Sequence, residues 1–182
     1  MNFLKTIDLA ILTFINHLPH SSILVTAGKL LTNIGNGGFL WFCLAFGFLI
    51  AGGKRGAKLC VLIVSGLIID FLLNESLIKP IFHRLRPYNS GLLGLNFWDT
   101  RWHDTSFLSG HAFSSFLCAY LIGKYYPKTF WPLMIVAALI SFSRVYLAAH
   151  WPSDVIVGGA LGLVVGYIII LVDKKYFKKI KK

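Results

Sequence analysis

Residues 155–172 read VIVGGALGLVVGYIIILV, from Val155 to Val172, without one charged side chain. An α-helix rises about 1.5 Å per residue, so roughly 20 apolar residues cross the ~30 Å hydrocarbon core of a bilayer. A soluble helix or strand would interleave polar residues at its own period, and this stretch does not. It is expected to be a membrane-spanning helix, with Gly158, Gly159, Gly162 and Gly166 as close helix-packing positions.

Blocks of the same kind lie outward from it at Gly38–Gly53, Ala57–Ile78, Phe107–Gly123 and Phe130–Ala149. They are separated by Lys54-Arg55-Gly56, a polar stretch from Lys79 to Ser106, a Lys124–Lys128 turn containing Pro127, and a short His150–Asp154 link. Hydrophobic residues make up 56% of the 182-residue chain and aromatics 15%, more than an ordinary soluble domain carries. The expected fold is all-α: one polytopic membrane helix bundle over residues 1–182 with five clear spans.

Residues 1–36 read differently. Ile7–Leu18 and Ile23–Ile34 are apolar but interrupted by Asn16, His17, Pro19, His20 and Lys29. They suit either a sixth span or two amphipathic helices at the interface, with interfacial or re-entrant helices favoured. A cleaved leader is not expected, because Asp8 interrupts a thin basic region and no small-x-small site follows the apolar run.

Lysine and arginine in short loops set orientation. Lys54, Arg55 and Lys58 flank one turn, Lys124 and Lys128 another, and a basic tail over 174–182 closes the chain. These ends are assigned to the cytoplasm of an inner or plasma membrane. Alternation then places the 79–106 loop and the His150–Asp154 link together on the extracytoplasmic face.

The formal charge of +11 at pH 7 does not imply a nucleic-acid partner, since the basic residues are split between faces and no binding module is recognisable. The lysines are expected to set topology and touch anionic headgroups. Cys43, Cys60 and Cys118 lie inside apolar blocks without metal-ligand spacing, and read as core residues.

The extracytoplasmic face gathers unusual chemistry. Lys79 precedes Pro80, where helix is expected to stop, and Arg86-Pro87 follows. Ser109-Gly110-His111 opens one span; Arg144 closes the next, with His150 and Asp154 just beyond it. Charged side chains inside a span cost roughly 2.5–3.5 kcal/mol each at its centre. Lys79, Arg86 and Arg144 together, with Asp154 the obvious counter-charge, would repel one another unless an anion binds, and a phosphate dianion fits. Ser109 and the backbone N–H groups of Gly110 and His111 suit phosphate oxygens at a helix N-terminus. One histidine can attack phosphorus if its other nitrogen donates to Asp154, and the second can protonate the leaving oxygen. The cations supply the charge a metal otherwise would, so no metal or other cofactor is expected.

Lys79-x6-Arg86-Pro87, Ser109-Gly110-His111 and Ser143-Arg144-x5-His150-x3-Asp154 resemble, in order, the three signature motifs of the type 2 phosphatidic acid phosphatases. The resemblance implies His150 as a nucleophile forming phosphohistidine, Asp154 orienting it, and His111 as general acid. It implies Lys79, Arg86, Ser109, Gly110 and Arg144 as phosphate ligands. The family usually has proline where Leu108 stands, which bears on turn geometry and removes no chemical group.

The expected activity is therefore hydrolysis of a phosphomonoester or diphosphate on a membrane lipid. By analogy within the family, undecaprenyl diphosphate comes first, and phosphatidylglycerophosphate or phosphatidate second. A protein that binds or transports anionic lipids uncleaved is the reading of another class, for which His111 and the His150–Asp154 pair are surplus. His17, His20, His83 and His103 read as interfacial polar residues. Glu75 is placed to pair with Lys79 one helical turn away, as Asp70 is with Asn74. The aromatic and charged residues of 96–104 suit an interfacial lid over a headgroup or an ordinary aromatic belt.

Overall fold

The computed structural model describes residues 3–92, 94–101 and 105–177. They form an all-helical bundle: α1 (Phe3–Asn16), α2 (Ser22–Gly35), α3 (Phe39–Ala51), α4 (Gly53–Leu73), α5 (Lys79–Phe82), α6 (Gly110–Tyr125), α7 (Phe130–Tyr146) and α8 (Pro152–Phe177). Trp102, His103 and Asp104 of the expected lid, and Lys178, Lys179, Lys181 and Lys182 of the expected tail, lie outside the described residues.

Four helical stretches are long and apolar enough to cross a membrane: Ser22–Ala51, Gly53–Asn89, Pro127–Tyr146 and Pro152–Tyr176. Their outward faces carry exposed Phe46, Ile50, Phe71, Trp131, Ile135 and Ile156, the surface of a protein whose solvent is lipid. This is an integral membrane protein. α6 is shorter, at 16 residues, and runs through the middle of the bundle against α4, α7 and α8. Its Phe113, Leu117, Cys118, Leu121 and Ile122 are all at or below 1% exposure, so α6 is the axis of the core.

Glycine makes that axis possible. A Cβ on Gly162 would lie 2.3 Å from the Phe113 carbonyl oxygen, and one on Gly158 2.7 Å from that of Ser109. The α8 glycines are thus the packing positions the sequence suggests, and α8 lies backbone to backbone on α6. A Cβ on Gly56 would meet the Phe48 carbonyl at 1.9 Å, which closes the α3–α4 hairpin. That hairpin turns at Gly52-Gly53, so Lys54, Arg55 and Gly56 belong to the first turn of α4 and are not a separate linker.

The first 36 residues depart from two independent interfacial helices. α2 runs on into α3 across a bend at Gly37 and Gly38, whose φ values of 56° and 73° suit glycine. α2 packs along α7, and α1 contacts α7 and α8. The C-terminal lysines also differ from a free tail: Lys174 and Lys175 form the last turn of α8. At that end Lys58 pairs with Asp173 at 2.6 Å, Tyr125 donates to Asp173, and Arg55 donates to the Tyr125 carbonyl. Of the cysteines only Cys118 is buried in the core; Cys43 is exposed on the outward face and Cys60 is half-buried.

Pro80 does not end its helix. The chain widens into a π turn over Asn74–Ile78, where the Lys79 N–H bonds back to the Asn74 carbonyl, five residues earlier. Shifting the ladder by one residue relieves the clash of the Pro80 ring with the preceding turn, and Lys79 keeps helical angles.

Candidate active site

The ends of α4–α5, α6, α7 and α8 that carry the three motifs meet at one end of the bundle, with Gly35 and the α2–α3 bend beside them. They enclose a cavity of about 700 Å³ lined by Lys79, Arg86, Gly110, His111, Arg144 and His150. Its walls continue down α3 and α4 along Phe42, Leu67, Ile68 and Phe71, of which Phe42, Ile68 and Phe71 are exposed on the outward surface. The cavity therefore joins a cationic end to an apolar side face.

His150 sits in the turn between α7 and α8, where the N–H groups of Ala149 and His150 both bond to the Arg144 carbonyl, at 2.9 and 3.1 Å. It is 3% exposed. Arg86 Nη1 lies 3.1 Å from His150 Nε2 and donates also to the Ala149 carbonyl at 2.9 Å. A guanidinium can only donate, so Nε2 is the acceptor and the ring proton belongs on Nδ1. Nδ1 faces Asp154 Oδ2 at 3.6 Å, an ion-pair distance that must shorten to become a hydrogen bond.

Asp154 is fully buried because the start of α8 needs its carboxylate. Trp151-Pro152-Ser153-Asp154 is a helix start with proline in the first turn, and Asp154 Oδ2 accepts the Trp151 N–H at 3.0 Å, the return arm of a capping box. Oδ2 also accepts Ser106 Oγ at 2.7 Å, and Oδ1 accepts Arg84 Nη1 at 2.6 Å.

The cations are balanced differently from the sequence expectation. Asp154 does not oppose the whole cluster; its ion-pair partner besides His150 is Arg84, which carries no motif position. Arg144, 1% exposed, donates to Asp99 Oδ2 at 2.8 Å and to Thr32 Oγ1 at 3.2 Å. Burial pushes the Asp99 carboxyl up, but hydrogen bonds from Arg101 and the charge and hydrogen bond of Arg144 outweigh it and hold it well below the usual carboxylate range. The bond to Asp99 correspondingly raises Arg101. Lys79 pairs with Glu75 one turn before it, as their spacing suggests.

His111, in the first turn of α6, faces the Thr32 carbonyl through Nε2 at 3.1 Å, so that nitrogen carries a proton. Ser109 caps α6 without a capping bond, and its Oγ is buried with no hydrogen-bond partner among the described residues. The Gly110 N–H is met by the Asn74 side chain: with its amide oriented by the network, Asn74 accepts from Gly110 at 3.2 Å and donates to the Leu108 carbonyl at 3.3 Å. Leu108, at the position the family usually gives to proline, is fully buried.

All eight sequence-predicted residues are thus at one end of the bundle, with His150, His111, Arg86, Arg144, Lys79 and Gly110 on the cavity and Ser109 and Asp154 directly behind it. Sequence reasoning missed their partners. Asp99 belonged to a segment read as a lid or aromatic belt, and the same segment is tied down by Asn16, which pairs with the Asn96 backbone at 2.7 and 3.0 Å. His20, read as an interfacial histidine, stacks between Trp98 and Tyr146 with ring centroids 3.7 and 4.1 Å away. Thr32 and Asp8 carried no signal beyond being polar in apolar surroundings, and Arg84 none beyond lying in the polar 79–106 stretch. No cluster of metal-ligating side chains occurs among the described residues.

The described residues thus build an all-helical bundle with a basic, two-histidine pocket at one end. Residues 55–178 match the PAP2 superfamily, and the chain belongs to that family. It is 33% identical over 121 residues to the undecaprenyl-diphosphatase of Sulfolobus acidocaldarius, covering 66% of this chain and 58% of that relative. It is 30% identical over 179 residues to phosphatidylglycerophosphatase B of Bacillus subtilis, covering 91% and 75%. The crystal structure of LpxE from Aquifex aeolicus superimposes with a TM-score of 0.73 at 25% identity, over 89% of this chain and 93% of that one. The chain thus spans somewhat under three-fifths of the first relative's length.

Proposed function

We propose that this protein is a metal-independent lipid phosphatase that works through a phosphohistidine at His150, with polyprenyl diphosphate, represented by undecaprenyl diphosphate, as its substrate. The observation that carries the reading is the Arg86–His150 contact, which keeps the Nε2 lone pair unprotonated beside the cationic cavity. The terminal phosphate is held by Arg86, Arg144, Lys79 and Ser109, whose buried hydroxyl has no partner to give up among the described residues. Nε2 attacks phosphorus as the bond to the leaving oxygen breaks. His111, entering the step as the imidazolium with a proton on each ring nitrogen, gives that oxygen its Nδ1 proton while Nε2 stays bonded to the Thr32 carbonyl, and lipid monophosphate leaves. Asp154 stabilises the positive ring. Water then attacks the phosphohistidine, His111 takes its proton, and inorganic phosphate is released.

The apolar wall along Phe42, Ile68 and Phe71 gives the lipid tail a path sideways into the bilayer. The site end is assigned to the extracytoplasmic face, because the opposite end carries Lys54, Arg55, Lys58, Lys124, Lys128, Lys174 and Lys175. Similarity over 91% of the chain to a phosphatidylglycerophosphatase favours that phospholipid as the competing substrate. Phosphate release from purified protein, compared across undecaprenyl diphosphate, phosphatidylglycerophosphate and phosphatidate, decides between them. The highest kcat/KM is expected for the diphosphate; a preference for a glycerophospholipid would replace the substrate, and binding without release from any would leave a lipid binder.

A further inference from the structure

The PAP2 match begins at residue 55, yet a carboxylate far upstream of it reaches the nucleophile's support. Asp8 on α1 is 1% exposed, and a buried carboxylate needs partners. All its hydrogen bonds converge on groups next to Asp154. Oδ1 accepts the Ser153 N–H at 2.8 Å, while Oδ2 accepts the Ser153 hydroxyl and Arg84 Nη2. The other arm of Arg84, Nη1, donates to Asp154 Oδ1 at 2.6 Å and to Ser153 Oγ at 2.7 Å. Its guanidinium also lies over the Trp151 ring, 5.2 Å from the centroid.

We infer that Asp8 is a positioning residue for the reaction: through Arg84 and Ser153 it fixes the carboxylate that orients His150. The inference rests on the phosphatase reading above.

Of the three donors that hold Asp154, the Trp151 N–H is backbone and Ser106 Oγ sits on a short, fully buried side chain, whereas Arg84 is long, flexible and 26% exposed along its side chain. A side chain of that kind keeps one orientation only if both ends of its fork are engaged. Without Asp8 the Nη2 arm has no carboxylate, and Arg84 can swing toward solvent, taking a charge-assisted bond from Asp154. Asp8 also draws on the Arg84 charge, so more of the Asp154 charge is left to stabilise a positive His150 ring. Neither effect removes the bond of Arg86 to the Ala149 carbonyl or that of Arg144 to Asp99. The loss should therefore fall on kcat and spare KM.

The test is steady-state phosphate release from the full-length protein in detergent, with thermal unfolding measured alongside. Asp8→Ala is expected to lower kcat about tenfold and Asp8→Asn about threefold, each with KM within twofold of wild type. Arg84→Ala should lower kcat at least as far, and Asp8→Ala on top of it should add less than it does alone, since only the Ser153 arm then remains to lose. Asp8→Asn keeps an oxygen for Ser153 and decides the matter should Asp8→Ala not fold. Full kcat in the Asp8 variants that fold, a loss confined to KM, or losses that multiply in the double variant would overturn the inference while leaving the phosphatase reading standing. Wild-type protein that releases no phosphate would overturn both.

Discussion

Arg86 donates to His150 Nε2 at 3.1 Å while Asp154 faces His150 Nδ1 at 3.6 Å, so a fixed cation and a fixed anion sit at opposite nitrogens of one buried ring. The pairing selects the tautomer whose lone pair is at Nε2. It also places the cation proposed to hold phosphate beside the atom proposed to attack. Arg86→Lys keeps the charge but cannot reach both the Ala149 carbonyl and the ring in the same planar geometry. Its kcat/KM should fall about a hundredfold, the scale for losing one preorganised donor at a developing charge. Phosphate-release kinetics check this; wild-type kcat/KM in the lysine variant would contradict the contact's role.

Ser109 separates function from stability. Its buried hydroxyl has no partner among the described residues, so Ser109→Ala breaks no hydrogen bond of the resting protein. A bond from that hydroxyl to a charged phosphate is worth about 1.5–3 kcal/mol. Ser109→Ala is therefore expected to lower kcat/KM by roughly tenfold to a hundredfold, with an unfolding temperature no lower than wild type. A destabilised variant with normal kinetics would show that Ser109 serves only the fold.

Asp99 is needed by Arg144 before any ligand arrives. Both side chains are 1% exposed, and removing one partner of such a pair costs about 3–5 kcal/mol. Asp99→Ala should lower thermal stability sharply. The pKa of Asp99 is depressed on folding, so its ionised form contributes stability above its unfolded value of about 4. That contribution fades as pH falls toward the lower folded value. The stability gap between wild type and Asp99→Asn should accordingly be constant near neutrality and narrow below about pH 4; a gap that widens in acid would be inconsistent with the pairing.

Gly162 carries the contact between α8 and the central α6. Gly162→Ala places a methyl group 2.3 Å from the Phe113 carbonyl oxygen, and the helices must part to admit it. Overpacking of this kind costs about 1–3 kcal/mol. A lowered unfolding temperature in detergent is expected, against little change for Gly47→Ala, where a Cβ would meet nothing within 4 Å.

The helices and the motif residues were legible because each is written locally. An uninterrupted apolar run specifies α8, and Pro152 with Asp154 specifies its start. What the sequence hid depends on distance. Nothing local says that Asp99 will meet Arg144, that Thr32 will face His111, or that Asp8 will reach Ser153, since these pairs are joined only when the bundle closes. Pro80 misled for a related reason: proline forbids the regular α ladder, and the wider π turn before it is one of the few ways around that rule. The bend at Gly37 and Gly38 likewise turned an apparently separate α2 into an extension of α3 that reaches the site.

The central claim is covalent chemistry at His150. Rapid-quench of purified protein with undecaprenyl diphosphate labelled in its terminal phosphate, followed by peptide mapping under basic conditions, measures it most directly. The account predicts a transient, base-stable label on the peptide containing His150, absent in His150→Ala, which should be folded and without turnover. Label on another residue, or phosphate release by His150→Ala at the wild-type rate, would contradict it.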